Sequence, residues 1–152
     1  MIIHIATDHA GLELKDVIAE HLTQKGHNVI DHGAYEYDAE DDYPGFIISA
    51  AEAVAKDQEA GSEALGVVFG GSGNGEQIAA NKVAGIRAAL VWNEDTSRLA
   101  RQHNNANVIS IGARQHTQEE VLQLIDTFVA EPFTSEERHV RRIGQIAEYE
   151  AR

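Results

Sequence analysis

The fold of this chain is decided by one stretch, Gly70-Gly71-Ser72-Gly73-Asn74-Gly75-Glu76-Gln77, which lies between an apolar run and a helical pattern. Residues 65–69 read Leu-Gly-Val-Val-Phe, and residues 78–82 read Ile-Ala-Ala-Asn-Lys. This order predicts a buried strand, a glycine loop and a helix. Glycines let the backbone approach a ligand closely, and the N–H groups of such a loop and of a helix start suit a negatively charged oxygen.

Glu76 distinguishes this loop from the known phosphate-binding loops. Its carboxylate would repel an anionic ligand, so it is better explained as a group that takes up a proton. A dinucleotide-binding loop follows the first strand of its unit with a different glycine spacing, a Walker loop ends in Gly-Lys-Ser/Thr, and a hydrolase elbow centred on Ser72 needs glycine where Asn74 stands. A purely structural turn is the alternative, although a strand-to-helix connection seldom needs so many glycines.

Composition places the chain among ordinary α/β proteins. With 152 residues and 43% apolar content, it is expected to form a single domain over residues 1–152 with one core. The chain has no cysteine, which excludes disulfides, thiolate metal sites and a cysteine nucleophile and fits a reducing compartment. The run Met1–Ala6 is too short for the apolar region of a secretory signal. We therefore expect a cytoplasmic protein without a membrane segment.

The formal net charge of −13 argues against one class of partner. Sequence-independent nucleic-acid binding needs a basic surface that neutralises phosphates, so no nucleic-acid partner is expected. A small anionic substrate is compatible with this charge. Salt screens charges more than about 10 Å away, so a local arginine cluster can still make a positive pocket.

The remainder of the sequence alternates between short apolar runs and helical patterns. The predicted strands cover residues 2–6, 27–31, 65–69, 87–91 and 108–111. Helices are expected between them, and the predicted caps are Asn93, Thr117 with Glu120, and Thr134 with Glu137. Five apolar strands alternating with helices predict a three-layer, Rossmann-like α/β fold. Its parallel sheet is expected in the order 2-1-3-4-5, with helices on both faces and a C-terminal helix.

Polar residues follow the strands of this predicted sheet at the edge where ligands bind in such folds. Asp8 and His9 follow the first strand, the glycine loop and Glu76 follow the third, and Arg114 follows the fifth. A carboxylate, an imidazole, a serine and a donor-rich loop are therefore expected around one small ligand. The acidic loop from His32 to Asp42 is interpreted as solvated surface.

Each of three basic residues in the last third of the sequence, His103, Arg138 and Arg142, has a functional and a purely structural interpretation. Arg138 and Arg142 stand four residues apart on one helix face, where they could bind a phosphate or form a solvated face paired with Glu136 or Glu137. His103 ends a helix, where a positive imidazole is favourable without any ligand. The eight histidines show no metal-ligand spacing with carboxylates, so neither a metal nor another cofactor is expected.

Three motifs together resemble the type B ribose-5-phosphate isomerases, whose family also holds the galactose-6-phosphate isomerase subunits. They cover residues 6–11 (Ala-Thr-Asp-His-Ala-Gly), residues 70–82, and residues 101–108 (Arg-Gln-His-Asn-Asn-Ala-Asn-Val). The resemblance extends over nearly the whole chain. One group of that family places a catalytic cysteine where this chain has Gly70. The sequence resembles the other group, in which a glutamate at the position of Glu76 is the base.

The resemblance implies a metabolic function in the pentose phosphate pathway, the interconversion of D-ribose 5-phosphate and D-ribulose 5-phosphate through an enediolate. Glu76 would move a proton between C2 and C1, Ser72 would bond the reacting oxygens or help move a proton, and His103 would assist ring opening. The implied substrate contacts are Asp8, His9, Gly71, Ser72, Gly73, Asn74, Gly75, Asn104, Arg114, Arg138 and Arg142.

The resemblance also implies a homodimer, or a pair of dimers, whose active sites are shared between subunits. In that arrangement His103 and Arg114 would face Glu76 of the other chain. Two further functions stay open at the level of sequence. One is the same chemistry on a four- or six-carbon aldose phosphate, and the other is a catalytically silent protein that binds a sugar phosphate or a nucleotide.

Overall fold

A five-stranded parallel sheet lies at the centre of the computed structural model, which describes residues 1–152. Its strands are β1 (Ile2–Thr7), β2 (Asn28–Asp31), β3 (Ala64–Gly70), β4 (Ala88–Val91) and β5 (Val108–Gly112). The helices are α1 (Leu12–Gln24), α2 (Tyr43–Glu59), α3 (Asn74–Ala80), α4 (Glu94–Asn104), α5 (Gln118–Ala130) and α6 (Glu137–Glu150). None of these helices is both long enough and apolar enough to span a bilayer.

The strand order is β2-β1-β3-β5-β4, so the parallel α/β fold is confirmed and the predicted order of the last two strands is wrong. All five residues of β5 are buried, whereas β4 buries only its first and last residues. The more completely buried strand takes the interior position, and β4 forms the edge. Apolar periodicity alone could not rank the two strands, because both read as short buried runs.

Two apolar layers cover the two faces of the sheet. Alternate residues of the strands point to opposite faces, so one layer packs β1, β3 and β5 against α1, α4 and α5. The other layer packs them against α2 and α3. Gly66 allows the second contact to be close, because a Cβ there would lie 3.1 Å from Val54 of α2 and 3.0 Å from Val108. This confirms the predicted three-layer arrangement.

The helix caps follow the sequence at two of the three predicted positions. The side chains of Asn93 and Thr117 accept hydrogen bonds from the N–H groups of Thr96 and Glu120. The prediction for Thr134 is wrong, since α6 begins after Glu136 without a side-chain cap. The Thr134 hydroxyl instead donates to the Gln102 carbonyl at 2.9 Å, which ties the segment before α6 to the end of α4.

Candidate active site

The glycine loop connects β3 to α3 at the carboxyl edge of the sheet. Gly73, with φ 81°, turns the chain into the helix, and its carbonyl accepts a 2.7 Å hydrogen bond from the buried Ser110 hydroxyl of β5. The amide N–H groups of Gly71, Ser72 and Gly73 donate to no other group of the chain. Ser72 and Asn74 are exposed. The loop is therefore held in place by β5, and three of its backbone N–H groups are free to bind a ligand.

Glu76 lies in the first turn of α3 and is buried, with 4% of its surface exposed. Its carboxylate lies directly over Gly70, since a Cβ built on that glycine would overlap the Glu76 side chain. Burial is the main reason why the pKa of Glu76 is raised above its usual value, and the nearby charge of Asp8 raises it further. A hydrogen bond from its own backbone N–H opposes this shift. The position thus favours a carboxylate that accepts a proton more readily than an exposed glutamate does.

Asp8 and His9 reach the same edge from β1. Thr7, the last residue of β1, pairs with Phe69 of β3. The residues that follow them in the chain, Asp8 and Gly70, are therefore neighbours at the same edge of the sheet. Asp8 is buried and accepts a 2.9 Å hydrogen bond from the Ala10 N–H. Its side chain also lies 4.0 Å from the His9 ring.

Asp41 holds His9 from the segment between β2 and α2. The His9 Nδ1–H donates to Asp41 Oδ1 at 2.7 Å, and the backbone N–H of His9 donates to the same carboxylate at 3.1 Å. This hydrogen bond is the main reason why the pKa of His9 is raised. The interpretation of the 32–42 loop as solvated surface is therefore wrong for Asp41, whose side chain is only 9% exposed.

Arg114 and Tyr43 close the cluster from two further sides. Because β5 lies beside β3, the turn after β5 reaches the glycine loop, and the Arg114 N–H donates to the Gly71 carbonyl at 3.1 Å. A Cβ on Gly71 would lie 3.2 Å from the Arg114 guanidinium. Tyr43 packs on Gly75, where a Cβ would lie 2.5 Å from its ring and hydroxyl. In the predicted order 2-1-3-4-5, Arg114 would have been one strand further away.

The remaining predicted residues form a second cluster at the opposite, amino edge of the sheet. Helix α4 descends from the end of β4 to the start of β5, which places His103 and Asn104 at that edge. The His103 ring stacks on His139 of α6 with centroids 4.3 Å apart. Arg138 and Arg142 lie on the same helix and are exposed, and Arg138 contacts Glu136 at 3.2 Å.

Asp8, His9 and Asp41 each place one potential metal-ligating atom within 4.8 Å of the others. The 2.7 Å separation of His9 Nδ1 and Asp41 Oδ1 is, however, a hydrogen-bond distance. The Nδ1 atom therefore carries a hydrogen and is engaged, which explains the trio without an ion. The expectation of a reaction without metal or other cofactor stays a prediction.

Residues 3–146 match the model of a protein family described as Ribose/Galactose Isomerase. The chain belongs to the ribose/galactose isomerase family. This confirms the family proposed from the three motifs.

Individual members of the ribose/galactose isomerase family match along the full chain. Ribose-5-phosphate isomerase B of Mycobacterium tuberculosis is 56% identical over 150 residues, covering 99% of this chain and 90% of the relative. The enzyme of the same name from Mycolicibacterium paratuberculosis is 54% identical, with 99% and 92% covered. A crystal structure of the Mycoplasma genitalium ribose-5-phosphate isomerase B with bound ribulose-5-phosphate superposes with a TM-score of 0.93 at 45% identity, covering 99% and 96% of the two chains.

One chain of this isomerase family member thus carries two separate groups of the predicted residues. Asp8, His9, Arg114, Glu76 and the glycine loop lie together, whereas His103, Asn104, Arg138 and Arg142 lie at the other edge. The expectation that Arg114 faces Glu76 of another chain is wrong, because it contacts the glycine loop of its own chain. Sequence reasoning missed the role of Asp41, since nothing in its spacing separates it from its exposed acidic neighbours.

Proposed function

We propose that this chain is an aldose-ketose isomerase that interconverts D-ribose 5-phosphate and D-ribulose 5-phosphate. Two full-length relatives above 50% identity are named for this activity, and a solved relative holds ribulose-5-phosphate. The observation that carries the proposal is the buried Glu76 carboxylate beside a loop of free N–H donors. A protein that only binds an anionic sugar gains nothing from a carboxylate at this position.

In the proposed mechanism, Glu76 removes the proton from C2 of the open-chain aldose and returns it to C1. Burial makes this carboxylate a stronger base than an exposed glutamate. The enediolate oxygen that develops would accept hydrogen bonds from the free N–H groups of Gly71, Ser72 and Gly73, each such donor being worth about 3 kcal/mol. The exposed Ser72 hydroxyl would bond the reacting oxygens and help to move the hydroxyl proton from O2 to O1, so that the carbonyl passes from C1 to C2. Asp8 would bind a substrate hydroxyl group.

We further propose a homodimer, or a pair of dimers, in which two chains complete each active site. The support is the distance between the two clusters within one chain. They lie at opposite ends of the strands, and β3 alone spans seven residues at about 3.3 Å each. A second copy could place its His103 and Asn104 beside Glu76, and its Arg138 and Arg142 near the substrate phosphate. His103 would then assist opening of the furanose ring.

The remaining features of the proposal concern the cellular setting and the unit of function. A chain without cysteine suits a reducing compartment, and we place the reaction in the cytoplasm, within the pentose phosphate pathway. Residues 1–152 would act as one domain, since a single sheet organises both apolar layers. Its partners would be the phosphorylated sugar and a second copy of the chain, without nucleic acid or membrane.

Proton exchange at C2 tests the proposed chemistry directly. Purified protein is incubated in deuterated water with four-, five- and six-carbon aldose phosphates, and NMR follows deuterium incorporation and ketose formation. Exchange that is fastest with ribose 5-phosphate is the expected result. Faster exchange with another chain length would make that sugar the substrate, a candidate favoured by the galactose branch of the family. Binding without exchange on any sugar would contradict the isomerase and leave a silent binder.

A further inference from the structure

Asp41 is attached to His9 by contacts with both the backbone and the side chain of that residue. The imidazole Nδ1 lies 2.7 Å from Asp41 Oδ1, and the His9 backbone nitrogen lies 3.1 and 3.3 Å from the two carboxylate oxygens. Both oxygens of Asp41 are thus engaged by one residue. The preceding residues 35–40 are all exposed, whereas only 9% of the Asp41 side chain is exposed. The 32–42 segment therefore turns this one carboxylate inward.

These contacts determine which ring atom of His9 is available to a ligand. An ionised carboxylate only accepts hydrogen bonds, so Nδ1 carries a hydrogen and Nε2 is the ring nitrogen left free. Tyr37 packs edge-on against the ring with centroids 6.0 Å apart, which limits rotation of the imidazole. When the ring is protonated, Nε2 is a hydrogen-bond donor with a positive charge.

The charges around His9 come from three elements. Asp8 at the end of β1 and Asp41 before α2 favour the imidazolium, and Arg114 after β5 disfavours it. Tyr37 is the remaining titratable group against the ring. Two cations, His9 and Arg114, are therefore neighbours at the edge of the glycine loop. A ligand anion between them would relieve their repulsion, provided that His9 stays protonated.

We propose that Asp41 is a positioning residue that holds His9 with Nε2 directed to the anionic end of the substrate, beside Arg114. This inference rests on the proposed function and deepens it, because it assigns the residue that orients His9, one of the implied substrate contacts, within the same chain. In this proposal Asp41 acts on the ligand only through His9. It acts by fixing the ring and by favouring the charged form.

The kinetic test compares Asp41→Asn and Asp41→Ala with the matched control Glu40→Gln. Glu40 is the exposed neighbour of Asp41 in the same loop, so its variant removes the same charge without loss of the His9 contact. We expect KM for ribose 5-phosphate to rise about tenfold in Asp41→Asn, the scale of one charge-assisted hydrogen bond, with little change in kcat. Asp41→Ala should raise KM further, because asparagine can still accept from Nδ1.

The pH dependence provides a second readout, which a purely structural role would not move. The hydrogen bond to Asp41 raises the pKa of His9, so wild-type KM should rise only at a pH above the ordinary imidazole range. In Asp41→Asn this rise should begin at lower pH. Imidazole nitrogen NMR of the ligand-free protein should show the same downward movement of the His9 titration, and Glu40→Gln should titrate like the wild type.

The outcomes separate this inference from the proposed function. Unchanged KM in both Asp41 variants, or a loss confined to kcat, would overturn the role of Asp41. If the wild type isomerises no sugar phosphate, the proposed function fails while the His9 titration can still be measured with inorganic phosphate. Phosphate should then shift the His9 Nε2 signal in the wild type and in Glu40→Gln, and much less in Asp41→Ala. Equal shifts in all three proteins would overturn the inference.

Discussion

His103 and His139 stack almost in parallel, with their ring centroids 4.3 Å apart and their planes tilted by 20°. His139 is 5% exposed and is the buried residue of α6. Burial and the neighbouring His103 lower the pKa of His139, which favours a neutral ring against the His103 face. The stack joins the end of α4 to α6, so His103, Arg138 and Arg142 lie on one continuous surface of each chain, which a second chain could contact.

Subunit complementation is expected if this surface completes the active site of a second chain. Glu76→Gln and His103→Ala should each be inactive or nearly so as pure proteins. Co-expressed, they should regain about a quarter of the wild-type activity, because half of the randomly formed dimers contain one intact site of two. The measurement is the isomerase rate of the mixture.

The control for complementation pairs two variants from the same half of the site. Glu76→Gln mixed with Asp8→Asn leaves a defect in every site of a shared-site dimer, so no recovery is expected. Equal recovery in both mixtures, or recovery in neither while the chains form mixed dimers, would rule out active sites shared in this way.

Glu76→Gln is expected to reduce kcat by about 10²–10⁴-fold, the usual contribution of a positioned general base. Substrate binding should persist, because glutamine has nearly the same shape. In the wild type, kcat/KM should fall with decreasing pH as Glu76 becomes protonated, and this limb should lie above the ordinary glutamate range because burial raises the pKa. A variant with near-normal turnover would show that another group is the base.

The same substitution should make the fold more stable at neutral pH. A carboxyl group with a raised pKa in the folded state contributes stability below its unfolded pKa of 4.5, and that contribution is lost as the pH rises through the folded pKa. Glutamine has no such loss. Thermal unfolding should give a higher Tm for Glu76→Gln at pH 7 and a smaller difference at pH 4. Glu52→Gln, at an exposed position of α2, should leave Tm unchanged at both values.

Acid sensitivity is predicted for a histidine pair remote from the glycine loop. His4 and His32 share a 2.8 Å hydrogen bond, and His4 donates to Asp57 at 2.7 Å. Burial, followed by the positive charge of His4, lowers the pKa of His32. The folded state thus resists protonation of His32, so stability should decrease as the pH falls below the ordinary value of 6.5. Urea unfolding at pH 7.5 and pH 5.5 measures this effect.

The variant His32→Gln separates this titration from the other histidines. It should be less stable than the wild type at pH 7.5, because the hydrogen bonds to His4 and Ser49 are altered. Between pH 7.5 and pH 5.5, the free energy of unfolding should decrease less in His32→Gln than in the wild type. An unchanged pH dependence would mean that other groups account for the acid sensitivity.

The sequence predicts the local elements of this fold better than their arrangement in space. Apolar runs and caps such as Asn93 mark the strands and helices, because these signals depend on residues close in the chain. The exchange of β4 and β5 depends on how completely each strand is buried, which periodicity does not measure. The contact of Arg114 with Gly71 follows from that exchange and could not be predicted without it.

The candidate site divides in the same way. Glu76 is identifiable because a carboxylate is unusual after a glycine loop. Asp41 is not, because its inward position depends on the path of the 32–42 segment over His9. Thr134 shows the reverse error, since a capping sequence was present while its hydroxyl bonds the end of α4 instead. The positions of Asp41 and Thr134 are determined by tertiary contacts, which the local sequence does not reveal.

Gly70→Ala tests whether the space over β3 is reserved for the base. A Cβ at this position would overlap the Glu76 carboxylate, and the end of that side chain would have to move. We expect kcat to fall at least about tenfold, since a displacement of about 1 Å can cost a factor of 10². Gly45→Ala is the control, because a Cβ there meets no atom within 4 Å. A kcat for Gly70→Ala equal to that of the wild type would show that the Glu76 carboxylate does not need the space above Gly70.

The overlap of positions 70 and 76 has an evolutionary consequence. This chain resembles relatives with a glutamate base, and the other group carries a cysteine where Gly70 stands. One small volume would have to hold either side chain, so a lineage could not acquire the cysteine first and lose the glutamate later without an intermediate in which the two collide. The two positions should therefore covary among homologues. Glycine at position 70 should accompany glutamate at position 76, and cysteine at position 70 should accompany a residue smaller than glutamate at position 76.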